Sequence, residues 1–125
     1  MEPVRILIID DEPEVRATIA EALTDSGYVA LQAEGLGEAL AVIGKSRPSV
    51  ILLDITMPGV DGLQALPGLR SLNPTVPIIM LTANTDADVA RDTLRRGAFD
   101  YIAKPFELQR LRDVVAAAVL RSGMS

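Results

Sequence analysis

The chain has no cysteine, no histidine and no tryptophan. Without thiols there is no disulfide framework. Without thiol or imidazole there is no conventional zinc site, no Cys or His nucleophile and no histidine general base. Catalytic chemistry, if any, must come from carboxylates, hydroxyls, lysine or arginine. Aromatics are scarce, two Phe and two Tyr, so the core is aliphatic and an exposed aromatic is worth noticing. There is no basic block, and a net charge of -5 makes this domain a poor partner for nucleic acid. No apolar run approaches the length of a membrane span, and Met1-Glu2-Pro3 lacks the charged-then-apolar pattern of a signal peptide. A cytoplasmic location away from membranes is therefore expected. At 125 residues the chain is long enough for one domain with a real core.

What is present is organised around residues 50–62, VILLDITMPGVDG. Four apolar residues, Val50 to Leu53, read as a strand buried on both faces, as in parallel sheets. The strand delivers Asp54 at its C-terminal end, where open α/β sheets place their ligands. Met57-Pro58-Gly59 forces a turn, and Asp61 is placed to cap a helix starting near Gly62. Alone, such an Asp is equally an ordinary solvated strand end.

The same grammar repeats along the chain. Val4 to Ile9 is a first strand ending in Asp10-Asp11, and Glu12 and Pro13 suit the first turn of a helix. That helix runs to about Ser26 with Val15, Ile19, Ala22 and Leu23 on one face, and Gly27 closes it. Tyr28 to Ala33 is a weaker strand. A second helix over residues 37–46 carries Leu36, Leu40 and Ile43 at helical spacing and stops at Arg47-Pro48. The third helix, from about Gly62 to Leu72, holds Leu63, Leu66, Leu69 and Leu72, with Pro67-Gly68 inside it; Pro67 predicts a kink or a weak first turn. Pro77 to Leu81 is a fourth strand leading to Thr82. Thr85 with Asp88 resembles a capping box for a helix to Arg96, closed by Gly97. Asp100 to Ala103 is a fifth strand leading to Lys104-Pro105. Leu108, Leu111, Val115 and Val119 line a last helix from Glu107 to about Leu120. Five strands alternating with five helices predict a doubly wound parallel sheet.

In a parallel sheet the strand ends converge on one edge, which gathers Asp10, Asp11, Asp54, Thr82 and Lys104. At about 4–5 Å and an effective dielectric near 20, each pair of carboxylates repels by roughly 3–4 kcal/mol. The cluster therefore calls for a cation, and oxygen ligands without His or Cys select a hard ion, Mg²⁺ or Mn²⁺. An ammonium and a hydroxyl beside a free carboxylate form a cradle for a phosphoryl group, with the carboxylate as nucleophile. Taken singly, Asp10-Asp11 are helix caps, Thr82 a strand-end hydroxyl and Lys104 a surface charge. Jointly they are harder to read that way.

From ILIIDDEPEVR through VILLDITMPGVDG and IIMLTA to GAFDYIAKPF, the whole chain resembles a receiver domain of the two-component response regulators, chemotaxis-regulator-like. The resemblance implies a flavodoxin-like (βα)5 fold with strand order 2-1-3-4-5 and a receiver over residues 1–122. Residues 123–125 would be a tail or the start of a linker to an output domain. It implies Asp54 as phospho-acceptor. Asp11, Asp54 and the Thr56 main-chain carbonyl would be Mg²⁺ ligands, with Asp10 assisting through water. It also implies Lys104 as phosphoryl partner, Thr82 as switch hydroxyl, Tyr101 as switch aromatic and a cis Lys104-Pro105 peptide. The partners it implies are a sensor histidine kinase or phosphotransfer protein and a downstream protein or output domain. A homodimer through helix 4, strand 5 and helix 5 also fits. Thr56 and Asn84 occupy variable positions flanking the path of attacking water, so the phosphate lifetime does not transfer from relatives.

Two other classes remain in view. A haloacid-dehalogenase-like phosphohydrolase needs a second Asp two residues after the first, where Thr56 stands, and a cap insertion that is absent. A phosphorylation-independent interaction module would not need the complete set of strand-end residues.

Overall fold

A computed structural model of the chain describes residues 3–57, 60–83 and 87–123. The Pro58-Gly59 turn, Asn84, the Thr85 half of the capping box, and the outermost residues Met1, Glu2, Met124 and Ser125 lie outside the described residues. The sheet strands are β1 (Arg5–Ile9), β2 (Val29–Ala33), β3 (Val50–Asp54), β4 (Ile78–Thr82) and β5 (Asp100–Ala103). The helices are α1 (Pro13–Asp25), α2 (Leu36–Ser46), α3 (Gly62–Leu72), α4 (Ala87–Arg95) and α5 (Leu108–Ser122). All sheet pairings are parallel, as expected from the alternating pattern, and their order β2-β1-β3-β4-β5 is the one the resemblance implies.

The ends of the elements follow local chemistry. Pro13 stands in the first turn of α1, where its missing N–H costs nothing. Gly27, at φ +91°, turns the chain out of α1 in a conformation that suits a residue without Cβ. Arg47, the residue before Pro48, ends α2 in the left-handed region at φ +47°.

Alternation along the strands divides the core in two. Ile6, Ile8, Leu52, Ile79, Leu81 and Ile102 face α1 and α5. Leu7, Ile9, Ile51, Leu53, Ile78 and Met80 face α2 and α3. The three central strands are the most buried, which is why they read as continuous apolar runs. Burying one such Leu or Ile completely contributes about 1.5–3 kcal/mol.

Three expected core positions are corrected. Leu40, Leu72 and Leu108 are exposed; α2 turns Ala39 inward instead, and α5 adds Val114 and Ala118 to its buried face. Helical spacing marks a stripe about 100° wide, and residues at its margin fall on either side. Downstream of Asp54 a two-stranded antiparallel hairpin forms, Thr56–Met57 against Val60–Asp61. The backbone of Asp61 is thus in a strand, one residue before α3. Helix α3 continues through Pro67, which lies with Gly68 on the exposed side.

Candidate functional site

Register brings the site together. Ile9 pairs with Leu53, so Asp10 and Asp54 leave β1 and β3 level with each other. Thr82 pairs with Ala103, which sets Lys104 just beyond the β4 end. Asp10, Asp54 and Thr82 are almost fully buried, unusual for such residues and a sign that each has a partner.

Asp10 does two things at once. One carboxylate oxygen, Oδ1, accepts the Glu12 main-chain N–H at 2.9 Å, the cap-like role open to it at the start of α1. The other, Oδ2, accepts from Lys104 Nζ at 2.8 Å. Lys104 Nζ also lies 3.4 Å from Asp54 Oδ2 and 3.6 Å from Glu12 Oε1. Arg16 reaches back from α1 to donate to the Asp10 carbonyl at 2.7 Å, and the Asp10 N–H is held by the Ala33 carbonyl. Burial pulls the Lys104 ammonium toward deprotonation, but its hydrogen bond to Asp10 and the charges of Asp54 and Asp10 outweigh that, and its pKa is raised. The peptide between Lys104 and Pro105 is cis.

Oxygens of Asp10, Asp11, Glu12 and Asp54 all lie within 4.8 Å of one another. Four carboxylates against one ammonium leave excess negative charge in a partly buried pocket, and the donor set is entirely oxygen. That set fits a hard divalent cation. Glu12 was expected only as a first-turn helix residue; its place directly after Asp10-Asp11 at the strand end was the available signal. Thr56 contributes its backbone to the first strand of the hairpin beyond Asp54.

Thr82 and Tyr101 come from neighbouring strands. Met80 pairs with Tyr101 and Thr82 with Ala103, so by alternation Thr82 and Tyr101 share the sheet face covered by α4. Tyr101 is half-buried in the same apolar cluster as Val89 and Ala98, and its carbonyl accepts from Arg110 at 3.2 Å.

A family model described as the response regulator receiver domain matches residues 6–116. Regulatory protein AtoC of Escherichia coli (strain K12) is 39% identical over 120 residues, which cover 96% of this chain and 26% of AtoC. Sporulation initiation phosphotransferase F of Bacillus subtilis (strain 168) is 33% identical over 111 residues, covering 89% of this chain and 90% of that protein. The structure of chemotaxis protein CheY4 of Vibrio cholerae aligns with a TM-score of 0.86 at 28% identity, over 94% of this chain and 99% of that one. The chain spans about a quarter of the length of the first curated relatives it matches. Among the described residues, no helix is long and apolar enough to cross a membrane.

Proposed function

Because the chain belongs to the response regulator receiver domain family, we propose that it is a phosphorylation-dependent signalling switch whose acceptor is Asp54. The observation that carries this reading is the position of Lys104 Nζ, 2.8 Å from Asp10 and 3.4 Å from Asp54 inside the carboxylate cluster. The donor is a sensor histidine kinase or a phosphotransfer protein. An Asp54 carboxylate oxygen attacks phosphorus; the new O–P bond forms as the P–N bond to the donor imidazole breaks, and the imidazole leaves with a proton. Lys104 answers the added negative charge from where it already sits, so little reorganisation is needed. The domain is thus a phospho-acceptor that assists its own transfer and later dephosphorylation.

Asp11, Asp54 and the Thr56 main-chain carbonyl would hold Mg²⁺, with Asp10 assisting through water; Mn²⁺ is the alternative ion. The bound ion supplies charge neutralisation for the transferring phosphoryl group. Transmission runs through the Thr82 hydroxyl and Tyr101 to the surface of α4, β5 and α5, which meets a downstream protein, an output domain or a second copy. Residues 1–122 form the receiver, and residues 123–125 begin a tail or linker; the greater length of relatives such as AtoC supports the linker, and the similar length of sporulation initiation phosphotransferase F supports the tail. The net charge of -5 supports a domain that makes no direct contact with nucleic acid, and the reading places it in the cytoplasm.

The test is acetyl phosphate labelling with Mg²⁺, followed by borohydride trapping and mass spectrometry. Native protein is expected to carry the label at Asp54 and to lose labelling when Mg²⁺ is chelated. Full labelling of Asp54→Asn at another residue, with native kinetics, would sink the assignment. In a parallel Mg²⁺ titration, Asp11→Asn should bind the ion more weakly than the native chain; equal binding removes Asp11 from the site.

A further inference from the structure

Helix α4 is held at its C-terminal end by more than apolar packing. The helix is nine residues long, about 13 Å at 1.5 Å per residue. It runs from the side of the sheet that carries Thr82 to the opposite side. Among its described side chains it offers the core little. Val89 is half-buried, Thr93 is buried, and Leu94, its other large apolar side chain, is 44% exposed. Apolar burial is therefore a weak hold on this helix.

The C-terminal end is tied by something else. Gly97, at φ +103°, reverses the chain, and the Ala98 N–H returns to the Thr93 carbonyl. Arg70, in the last turn of α3, donates to the Gly97 carbonyl at 3.2 Å. The same guanidinium donates to the carbonyls of Asn73 and Val76 in the connection from α3 to β4. Its stem packs so closely on Gly97 that a Cβ there would stand 3.1 Å from Arg70 Cδ. Among the described residues Arg70 forms no ion pair. Its two terminal nitrogens, Nη1 and Nη2, serve main-chain carbonyls of two separate segments, which a planar fork does and a point charge does not.

We propose that Arg70 is a positioning residue that pins the C-terminal end of α4, so that an event at Asp54 and Thr82 swings the N-terminal end about that point. This rests on the reading of Asp54 as phosphoryl acceptor. The weakly packed helix then works as a lever with a fixed end, and its displacement is largest next to the site and smallest at Gly97.

The experiment measures amide exchange along α4 and the following turn, with and without beryllofluoride and Mg²⁺, in the full chain and in Arg70→Met. Fluorine NMR of the bound mimic and acetyl phosphate labelling of Asp54 run alongside and report separately on the acceptor. In native protein, the mimic-induced change is expected in residues 87–91 and absent from residues 94–98. In Arg70→Met, with labelling intact, the mimic-induced change is expected to spread into residues 94–98 by on the order of tenfold, the weight of about one hydrogen bond. Loosening that is the same with and without the mimic denotes structural support alone and overturns the proposal. So does a native mimic-induced change that already reaches residues 94–98, or one that never enters α4 while Asp54 is labelled. If Arg70→Met fails to fold, Arg70→Lys keeps the charge and most of the stem but loses the fork, and the same spread is expected.

Discussion

Lys104 touches three carboxylates, those of Asp10, Glu12 and Asp54, and that crowding has a pH signature. Its folded pKa lies above the ordinary value of 10.5. A group raised in this way holds protons more tightly when folded, so its contribution to stability is fully present below pH 10.5 and is lost as pH rises through the folded value. The stability difference between native protein and Lys104→Gln, from urea unfolding at a series of pH values, should be flat near neutrality. It should shrink above the ordinary lysine value. A difference that grows on the alkaline side would mean the contacts of Lys104 do not favour its charged form. The acidic pair at the end of β1, Asp10-Asp11, was legible as part of the site because the parallel sheet brings its strand end level with that of Asp54. Glu12 was less so, since an acid at a helix start has an adequate local explanation in the helix dipole. Only the fold shows that it also faces Lys104.

Among elements, β3 matched its expected bounds because nothing competes with a continuous branched apolar run ending in a charge. The hairpin at Thr56–Asp61 did not announce itself, because two-residue strands are too short to show alternation. The outward Leu40, Leu72 and Leu108 show the same limit in helices: spacing identifies a stripe, and packing decides where its edge falls. Helix α3 carries the clearest conflict between local preference and fold. Pro67 is exposed inside the helix, where it removes one backbone hydrogen bond and fills no space in the core. Pro67→Ala should therefore raise stability, by about 1–3 kcal/mol against the interior-proline penalty of about 3 kcal/mol. Urea unfolding checks the sign. Destabilisation would mean that Pro67 limits the unfolded chain more than it strains the helix.

At the scale of the whole molecule, the sheet separates two sets of side chains. Ile19 belongs to the cluster under α1 and α5, and Ile78 to the cluster under α2 and α3. Ile→Val at each should cost about 0.5–1.5 kcal/mol, and the double variant should equal the sum within about 0.5 kcal/mol. A larger coupling, read from the same denaturation curves, would show strain passing through the sheet. If the sum holds, a lineage can revise the α1 and α5 side without compensating changes beneath α2, α3 and α4. The surface of α4 and α5 straddles both layers, so each half of it rests on a core that can change alone. Duplicated copies can then be repacked one layer at a time, while the acids at the strand ends stay where they are.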